Sequence, residues 1–190
     1  MSMFDQIEVE NVFIYVADSL RYDYLPQSIA EMGTTAKAVA ASLLSPSSFA
    51  SLVSGLHPHN HGIYNFSTRL NSWTFFKLSE YNTSFYGTDP VIPQTLGAPP
   101  EIPFEEIKPP FIYMERDLIT HLPYNRKVKT YTIREYLRSR VDSIDELKAD
   151  YIESTKTVTE NFNKRLEQLH KRDLLKNTLV IFLSDHGELL

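Results

Sequence analysis

The chain has 190 residues, no cysteine and a formal net charge of -5. This length is enough for one domain with a hydrophobic core, and the acidic balance provides no electrostatic footprint for nucleic acid. The lack of cysteine excludes disulfides and thiolate metal sites.

The residues before Asn11 contain neither the basic segment nor the long apolar core of a signal peptide. No apolar run in the sequence is long enough to span a bilayer. We therefore expect a cytoplasmic protein without a membrane or nucleic-acid partner.

Residues 6–17 predict the first strand. Asn11–Ala17 is a largely apolar run of the kind found in strands that are buried on both faces. Asp18 follows it directly and begins a predicted loop. In open α/β sheets ligands bind where the strands end, which makes Asp18 a candidate site residue.

Residues 42–55 predict a loop that opens into a helix of about two turns. Pro46 suits the first turn, and Ser45 and Ser47 are both possible N-caps. Gly55 is a natural stop. The free N–H groups at the start of such a helix favour a bound anion.

Three histidines follow in a polar turn, at His57, His59 and His61. Turn histidines are most often solvated or structural. Metal ligation is the alternative, and it needs a convergent geometry that spacing does not show. Beyond the turn, residues 70–81 predict a helix and residues 83–86 a short strand.

Residues 88–110 contain seven of the eleven prolines. Proline interrupts helices and central strands, so this stretch predicts an irregular insertion loop. Phe111–Met114 then predicts a buried strand. The loop after that strand carries His121.

The clearest predicted helix covers residues 143–169, with Ser143 as its cap and an apolar stripe that would pack on the sheet. The last strand follows at Leu179–Leu183 and is predicted to be buried on both faces. It ends beside Asp185 and His186.

Strands and helices alternate along the chain, which predicts an α/β fold with a mostly parallel sheet between helix layers. If the first and last strands are parallel neighbours, Asp18 meets Asp185 and His186. These three side chains are a plausible set of ligands for a divalent metal ion.

Four stretches together, residues 11–23, 45–62, 111–124 and 177–188, resemble the sulfatase family of the alkaline phosphatase superfamily. They cover most of the chain, in the family's order. The resemblance implies a three-layer α/β/α sandwich, alkaline-phosphatase-like, over residues 1–190. The family continues beyond the position of Leu190, so this single domain would lack its C-terminal part.

The resemblance also implies roles for individual residues. Asp18, Asp185 and His186 would hold a divalent metal, which Ser45 would also contact. Ser45 would be the nucleophile of a metal-dependent sulfate- or phosphate-ester hydrolase, and His121 would be catalytic on the substrate side. The identity of the metal stays open between Ca, Mn and Zn. The ligand types favour Mn or Zn, whereas the family usually binds Ca.

The residues around Ser45 depart from the sulfatase pattern. Phe49 stands at the arginine position and the proline is displaced by one, so formylglycine maturation of Ser45 is not expected. An unmodified serine suits a phosphatase, phosphodiesterase or phosphotransferase better than a sulfatase. The alternative hypothesis is a catalytically inactive protein of this fold that acts as a binding module.

Two kinds of partner are expected. The first is a small anionic ester substrate. The second is another copy of the chain, because an exposed sheet edge is a place for self-association.

Overall fold

A computed structural model describes residues 9–126, 132–140 and 142–189. Within these ranges the chain forms four β-strands and six α-helices. The strands are β1 (Asn11–Ala17), β2 (Asn82–Gly87), β3 (Phe111–Asp117) and β4 (Thr178–Leu183). The helices are α1 (Gln27–Ala30), α2 (Ser45–Ser54), α3 (Pro58–His61), α4 (Val91–Leu96), α5 (Ile133–Arg138) and α6 (Ile144–Lys171).

The four strands form one parallel sheet in the order β2-β3-β1-β4. The register places Val16 of β1 opposite Arg116 of β3 and Leu183 of β4. Because the strands are parallel, their carboxyl ends share one rim of the sheet. The predicted α/β fold is confirmed, including the parallel pairing of the first and last strands.

Helices cover both faces of the sheet, and side chains of β1 alternate between two cores. One core packs under α6, and the other packs under α2 and α4. The α6 core contains Phe13, Tyr15, Phe104, Ile107, Phe111, Tyr113, Phe162 and Leu169. The α2–α4 core contains Val16, Phe49, Ala50, Val53, Ile63, Phe85, Ile92, Leu96 and Met114.

The start of α2 differs from the prediction. Leu44 is the N-cap residue, and Ser45 and Pro46 are already the first residues of the helix. Pro46 lacks an N–H group, which costs nothing in the first turn. Neither Ser45 nor Ser47 is therefore the N-cap, and the Ser45 hydroxyl is available for other contacts. Gly55 ends the helix with φ of 71°, as predicted.

The predicted helix over residues 70–81 is wrong, because only Phe75–Lys77 form a helical turn, of the 3-10 type. The backbone N–H of Leu70 donates to Thr95 at 2.7 Å, and the Thr83 hydroxyl donates to the Phe76 carbonyl at 3.2 Å. These tertiary contacts compete with helix formation.

The proline-rich stretch, residues 88–110, is not wholly irregular, because it contains α4. Pro90 is the N-cap of this helix and Pro93 lies in its first turn, where missing N–H groups are tolerated. Gly97 ends it with φ of 60°. The expectation that no helix forms here is wrong for Val91–Leu96.

The long predicted helix is confirmed as α6. Its N-cap, Ser143, accepts a hydrogen bond from the backbone of Glu146 at 3.3 Å. The shorter α5 was not predicted, although Thr132 and Glu135 form a capping box at its start.

β4 is not buried on both faces as predicted. Within the described residues it pairs only with β1, and Leu179 is 43% exposed because the strand lies at the edge of the sheet. The first strand begins at Asn11, and residues 6–8 of its predicted range lie outside the described residues. No helix in the described ranges is long and apolar enough to cross a membrane.

Candidate active site

The rim at the carboxyl ends of β1 and β4 brings three ionisable side chains together. Asp18 directly follows β1, and Asp185 and His186 lie just beyond β4. One ligand atom from each of the three lies within 4.8 Å of the others. Both carboxylates are buried, with 0% exposure for Asp18 and 1% for Asp185. The parallel pairing of β1 and β4 produces this convergence.

Ser45 joins the group from the first position of α2. Its Oγ lies 3.0 Å from Nε2 of His186 and 3.4 Å from Oδ2 of Asp18. The residue is only 5% exposed. Four of the five candidate site residues are therefore in one cluster, and their catalytic or ligand roles stay predictions.

Hydrogen bonds fix the geometry between the β1 loop, the β4 loop and α2. The backbone N–H of Ser19 donates to Oδ1 of Asp185 at 3.1 Å, and the Ser19 hydroxyl donates to Oδ1 of Asp18 at 2.9 Å. The Ser48 hydroxyl donates to the Asp185 carbonyl at 2.6 Å. Ser48 lies one turn beyond Ser45 in α2, so its hydrogen bond holds Ser45 at the rim.

The contacts of His186 define its neutral tautomer. Nδ1 lies 2.8 Å from the carbonyl oxygen of Gly187, which accepts hydrogen bonds but cannot donate them. Nδ1 therefore carries the proton and Nε2 presents its lone pair to the Ser45 hydroxyl. This is the arrangement in which an imidazole can remove a proton from a serine.

Asp185 is the least satisfied group of the site. Its Oδ2 is buried without a hydrogen-bond partner, and it lies 3.4 Å from Nε2 of His186. Burial and the nearby charge of Asp18 raise the pKa of Asp185, although His186 and the Ser19 N–H oppose the increase. An unpartnered buried carboxylate oxygen is an unsatisfied acceptor that a cation would stabilise.

Arg116 is a site residue that sequence reasoning missed. Its Nε and a terminal nitrogen contact Oδ2 of Asp18 at 2.7 and 2.6 Å, and its other terminal nitrogen pairs with Asp89. Its guanidinium also lies 5.5 Å from the centre of the Phe49 ring. The available signal was a run of charged residues, 115–117, at the end of a buried strand.

His121 does not join this cluster. It lies in the loop after β3, where its Nδ1 is 2.7 Å from the carbonyl oxygen of Leu122. It lowers the pKa of Glu188, two residues beyond His186, against a larger upward effect of burial. Within the described part of the chain it makes no hydrogen bond with Ser45 or His186.

The three turn histidines do not form a metal-binding group within the described ranges. His61 is buried and bonded to the Ser51 hydroxyl at 3.0 Å and to the backbone N–H of Ile63 at 3.1 Å. The rings of His57 and His59 stack 5.8 Å apart. The contacts of His61 are those of a structural histidine.

Two comparisons with known proteins bear on function. The chain is 34% identical over 192 residues to "Low-salt glycan biosynthesis sulfotransferase Agl7" of Haloferax volcanii, a match that covers 95% of this chain and 47% of the relative. The chain thus spans about half the length of this curated relative. Residues 134–189 also match a family model described as "Protein of unknown function (DUF229)".

These matches correct the expectations drawn from the resemblance. The relative is named a sulfotransferase, and a sulfotransferase passes a sulfate group to an acceptor molecule instead of hydrolysing a sulfate ester. Identification of the chain as a sulfatase, and its description as a sulfuric or phosphoric ester hydrolase, are therefore wrong.

Proposed function

We propose that this chain carries the central site of a sulfotransferase, which moves a sulfuryl group from a sulfate ester to a hydroxyl group of a glycan. The observation that carries this proposal is the contact between the Ser45 hydroxyl and Nε2 of His186, 3.0 Å apart. The acceptor class is taken from the printed name of the relative.

The reaction proceeds in two displacements at sulfur. In the first, Ser45 Oγ bonds to sulfur while the sulfur–oxygen bond of the donor breaks, and the serine proton passes through Nε2 of His186 to the departing oxygen. In the second, an acceptor hydroxyl attacks the sulfur of sulfated Ser45. Its proton leaves through His186, and Oγ of Ser45 recovers a proton. The sum is a sulfate ester plus an alcohol giving a new ester and a new alcohol.

Burial limits the access of bulk water to this site. Asp18, Ser45 and Asp185 are each at most 5% exposed, so a sulfated serine would have little contact with bulk water. The start of α2 also supports the anion, because Ser45 lies where the partial positive charge of a ten-residue helix is concentrated.

The residues fit a divalent cation. Asp18 and Asp185 offer two carboxylates, and the unpartnered Oδ2 of Asp185 is an available ligand atom, while Nε2 of His186 faces the Ser45 hydroxyl. A bound cation would offset the negative charge of the sulfuryl oxygens. Arg116 already neutralises part of the charge on Asp18, so a bound cation would stabilise the Asp185 carboxylate more than the Asp18 carboxylate.

The test is sulfuryl transfer from nitrophenyl sulfate to a glycan acceptor, measured as sulfated product by mass spectrometry. The Ser45→Ala variant is expected to lose at least about a thousandfold in rate because the nucleophile is absent. Ser54→Ala is the matched control, since the described contacts of the Ser54 hydroxyl are with backbone groups at the far end of α2, the Ala50 carbonyl and the Leu56 N–H.

Equal transfer by wild type and Ser45→Ala would overturn the proposal. Release of free sulfate at the same rate with and without acceptor would also contradict it, since that result describes hydrolysis. Trapping of a sulfated Ser45 peptide, seen by its added mass when donor is supplied without acceptor, would support the covalent step.

A further inference from the structure

A second polar opening lies at the same rim of the sheet, on the face that α6 covers. It is a cleft of about 370 Å³ between the ends of β2 and β3 and the side of α6. Neither the proposed chemistry at Ser45 nor the metal-binding group uses it. Polar side chains dominate its walls, among them Glu115, Asp117, Asn161, Lys164 and Gln168.

The walls of this cleft are held rigid by contacts between β3 and α6. Arg165 pairs with Glu115 through two nitrogens, at 2.7 and 3.1 Å, and donates to Oε1 of Gln168 at 2.9 Å. Asn161 Nδ2 donates to Oδ2 of Asp117 at 3.0 Å. Each side-chain amide therefore has one end fixed by the protein.

The opposite ends of these amides remain available. Within the described residues, Oδ1 of Asn161 accepts no hydrogen bond and Nε2 of Gln168 donates none. The first is a preset acceptor and the second a preset donor, because the other end of each amide fixes its orientation. A ligand with hydroxyl groups, which both donate and accept, matches this pair.

The charge of the cleft also selects the ligand. Glu115 and Asp117 are balanced by Lys164 and Arg165, and the fifth charged residue in the wall, Arg116, has its guanidinium committed to Asp18 and Asp89. A cleft without excess charge favours an uncharged polar ligand over an anion. Small uncharged ligands that carry many hydroxyls are sugars.

β3 connects this cleft to Ser45. Glu115 and Asp117 face the α6 side of the sheet, where they contact Arg165 and Asn161. Arg116, between them, faces the other side and holds Asp18, which contacts Ser45. A chain of sugars that crosses the rim would have one residue in the cleft and another near the serine.

We propose that this cleft binds an uncharged sugar residue of the acceptor glycan, an inference that rests on the proposed sulfotransferase function. Asn161 and Gln168 read the sugar hydroxyls, and the ring of Tyr86, which lies in the cleft wall, supplies an apolar surface. The cleft acts in binding and positioning and takes no part in the transfer of the sulfuryl group.

The test is saturation-transfer NMR with the 190-residue chain and uncharged disaccharides (maltose, lactose and mannobiose). Wild type and Ser45→Ala are expected to bind at least one of them equally. Gln168→Ala and Asn161→Ala are expected to weaken binding about fivefold, the effect of losing one hydrogen bond. Asn163→Ala, an exposed asparagine on the same helix, is the matched control and should bind as wild type does.

Circular dichroism establishes that each variant is folded, and Gln168→Glu provides a second, conservative change if Gln168→Ala unfolds. Absence of binding to every disaccharide would overturn the inference, as would unchanged binding in folded Gln168→Ala. Tighter binding of sulfated disaccharides, abolished by Lys164→Ala, would identify an anion site and overturn it as well.

The two proposals fail separately. Sugar binding without sulfuryl transfer by wild type would refute the sulfotransferase function and leave the cleft as a sugar site. Transfer in which Gln168→Ala and Asn161→Ala leave the acceptor KM unchanged would refute the cleft alone.

Discussion

The hydroxyl oxygen of Ser45 lies 3.0 Å from Nε2 of His186, although 141 positions separate the two residues in the sequence. The sheet brings about this contact. α2 packs on the β1–β3 face through Phe49 and Val53, while β4 delivers His186 to the rim of its neighbour β1. A serine and an imidazole acceptor therefore meet in a buried setting.

This contact predicts that His186→Ala lowers sulfuryl transfer by about 10²- to 10⁴-fold, the usual contribution of a general base. The loss should appear mainly in kcat, because His186 acts on the proton of Ser45. Added imidazole should restore part of the rate, a result that a purely structural defect would not give. The measurement is steady-state transfer with and without imidazole.

His170→Ala is the control for His186→Ala, because His170 lies in the last turn of α6, away from the cluster. It should transfer at the wild-type rate. A folded His186→Ala variant with wild-type kcat would contradict the role of His186 as a base.

Replacement of Arg116 is expected to lower the stability of the fold strongly. Its guanidinium and the Asp18 carboxylate are almost fully buried, with side-chain exposures of 6% and 0%. Arg116→Met leaves a buried carboxylate without its partner and should lower the free energy of unfolding by about 3–5 kcal/mol. Adding Asp18→Asn should recover much of this loss, because the unpaired charge is removed. Urea unfolding measures both.

The exposed pair of Arg21 and Asp23 supplies the comparison, with nitrogen and oxygen 2.7 Å apart and side-chain exposures of 30% and 58%. Arg21→Met should cost no more than about 1 kcal/mol, because water screens such pairs. Similar losses for Arg116→Met and Arg21→Met, or no recovery from Asp18→Asn, would refute a dominant role for burial of the Asp18 charge.

The sequence is sufficient to predict the meeting of Asp18, Asp185 and His186. Asp18 directly follows an apolar run, Asp185 and His186 lie two and three residues beyond another, and parallel strands end at one rim, so the prediction needs only that the two strands be neighbours. The position of Ser45 was implied by the resemblance and not by the strand pattern, because α1 lies between β1 and α2 in the chain.

Arg116 was beyond this reasoning because its role depends on tertiary contacts, and α4 was missed because seven prolines predict an irregular stretch. The register pairs Val16 with Arg116, and only this pairing shows that the guanidinium reaches Asp18. In α4, proline positions within the first turn decide between helix and loop. The edge position of β4 also has no sequence signal, because its apolar run is typical of a central strand.

The buried carboxyl group of Glu115 is expected to give the stability of the fold an unusual pH dependence. Burial raises the pKa of Glu115 above its usual 4.5, in spite of the two hydrogen bonds from Arg165. Because the folded protein holds this proton more tightly than the unfolded chain, the stability it contributes is present below pH about 4.5 and is lost as the pH rises through the folded pKa. Glu115→Gln does not titrate and should therefore gain stability relative to wild type over that interval.

The measurement is the free energy of unfolding of wild type and Glu115→Gln at a series of pH values from about 4 to 8. The difference between them should grow with pH and then level off. Glu167→Gln is the control, because the pair of Glu167 with Lys171 is exposed and lowers the pKa of Glu167. A difference that shrinks with pH would show that the ion pair with Arg165 outweighs the cost of burial.

The buried carboxylates of Asp18 and Asp185 predict stabilisation by a divalent cation. A cation that binds only the folded state raises the free energy of unfolding by about 2.7 kcal/mol at 100 times its Kd. Thermal unfolding with Mn²⁺, Zn²⁺ or Ca²⁺ should therefore shift the wild-type midpoint upward. Asp185→Asn should abolish the shift, because the unpartnered Oδ2 becomes part of a neutral amide.

Asp173→Asn is the matched control for Asp185→Asn, since the Asp173 side chain is 84% exposed and, among the described residues, pairs only with Lys176. It should respond to the cations as wild type does. A midpoint shift in Asp185→Asn as large as in wild type would place the cation elsewhere. No shift with any of the three ions at saturating concentration would refute a metal role for the cluster, whose ligand atoms lie within 4.8 Å of one another.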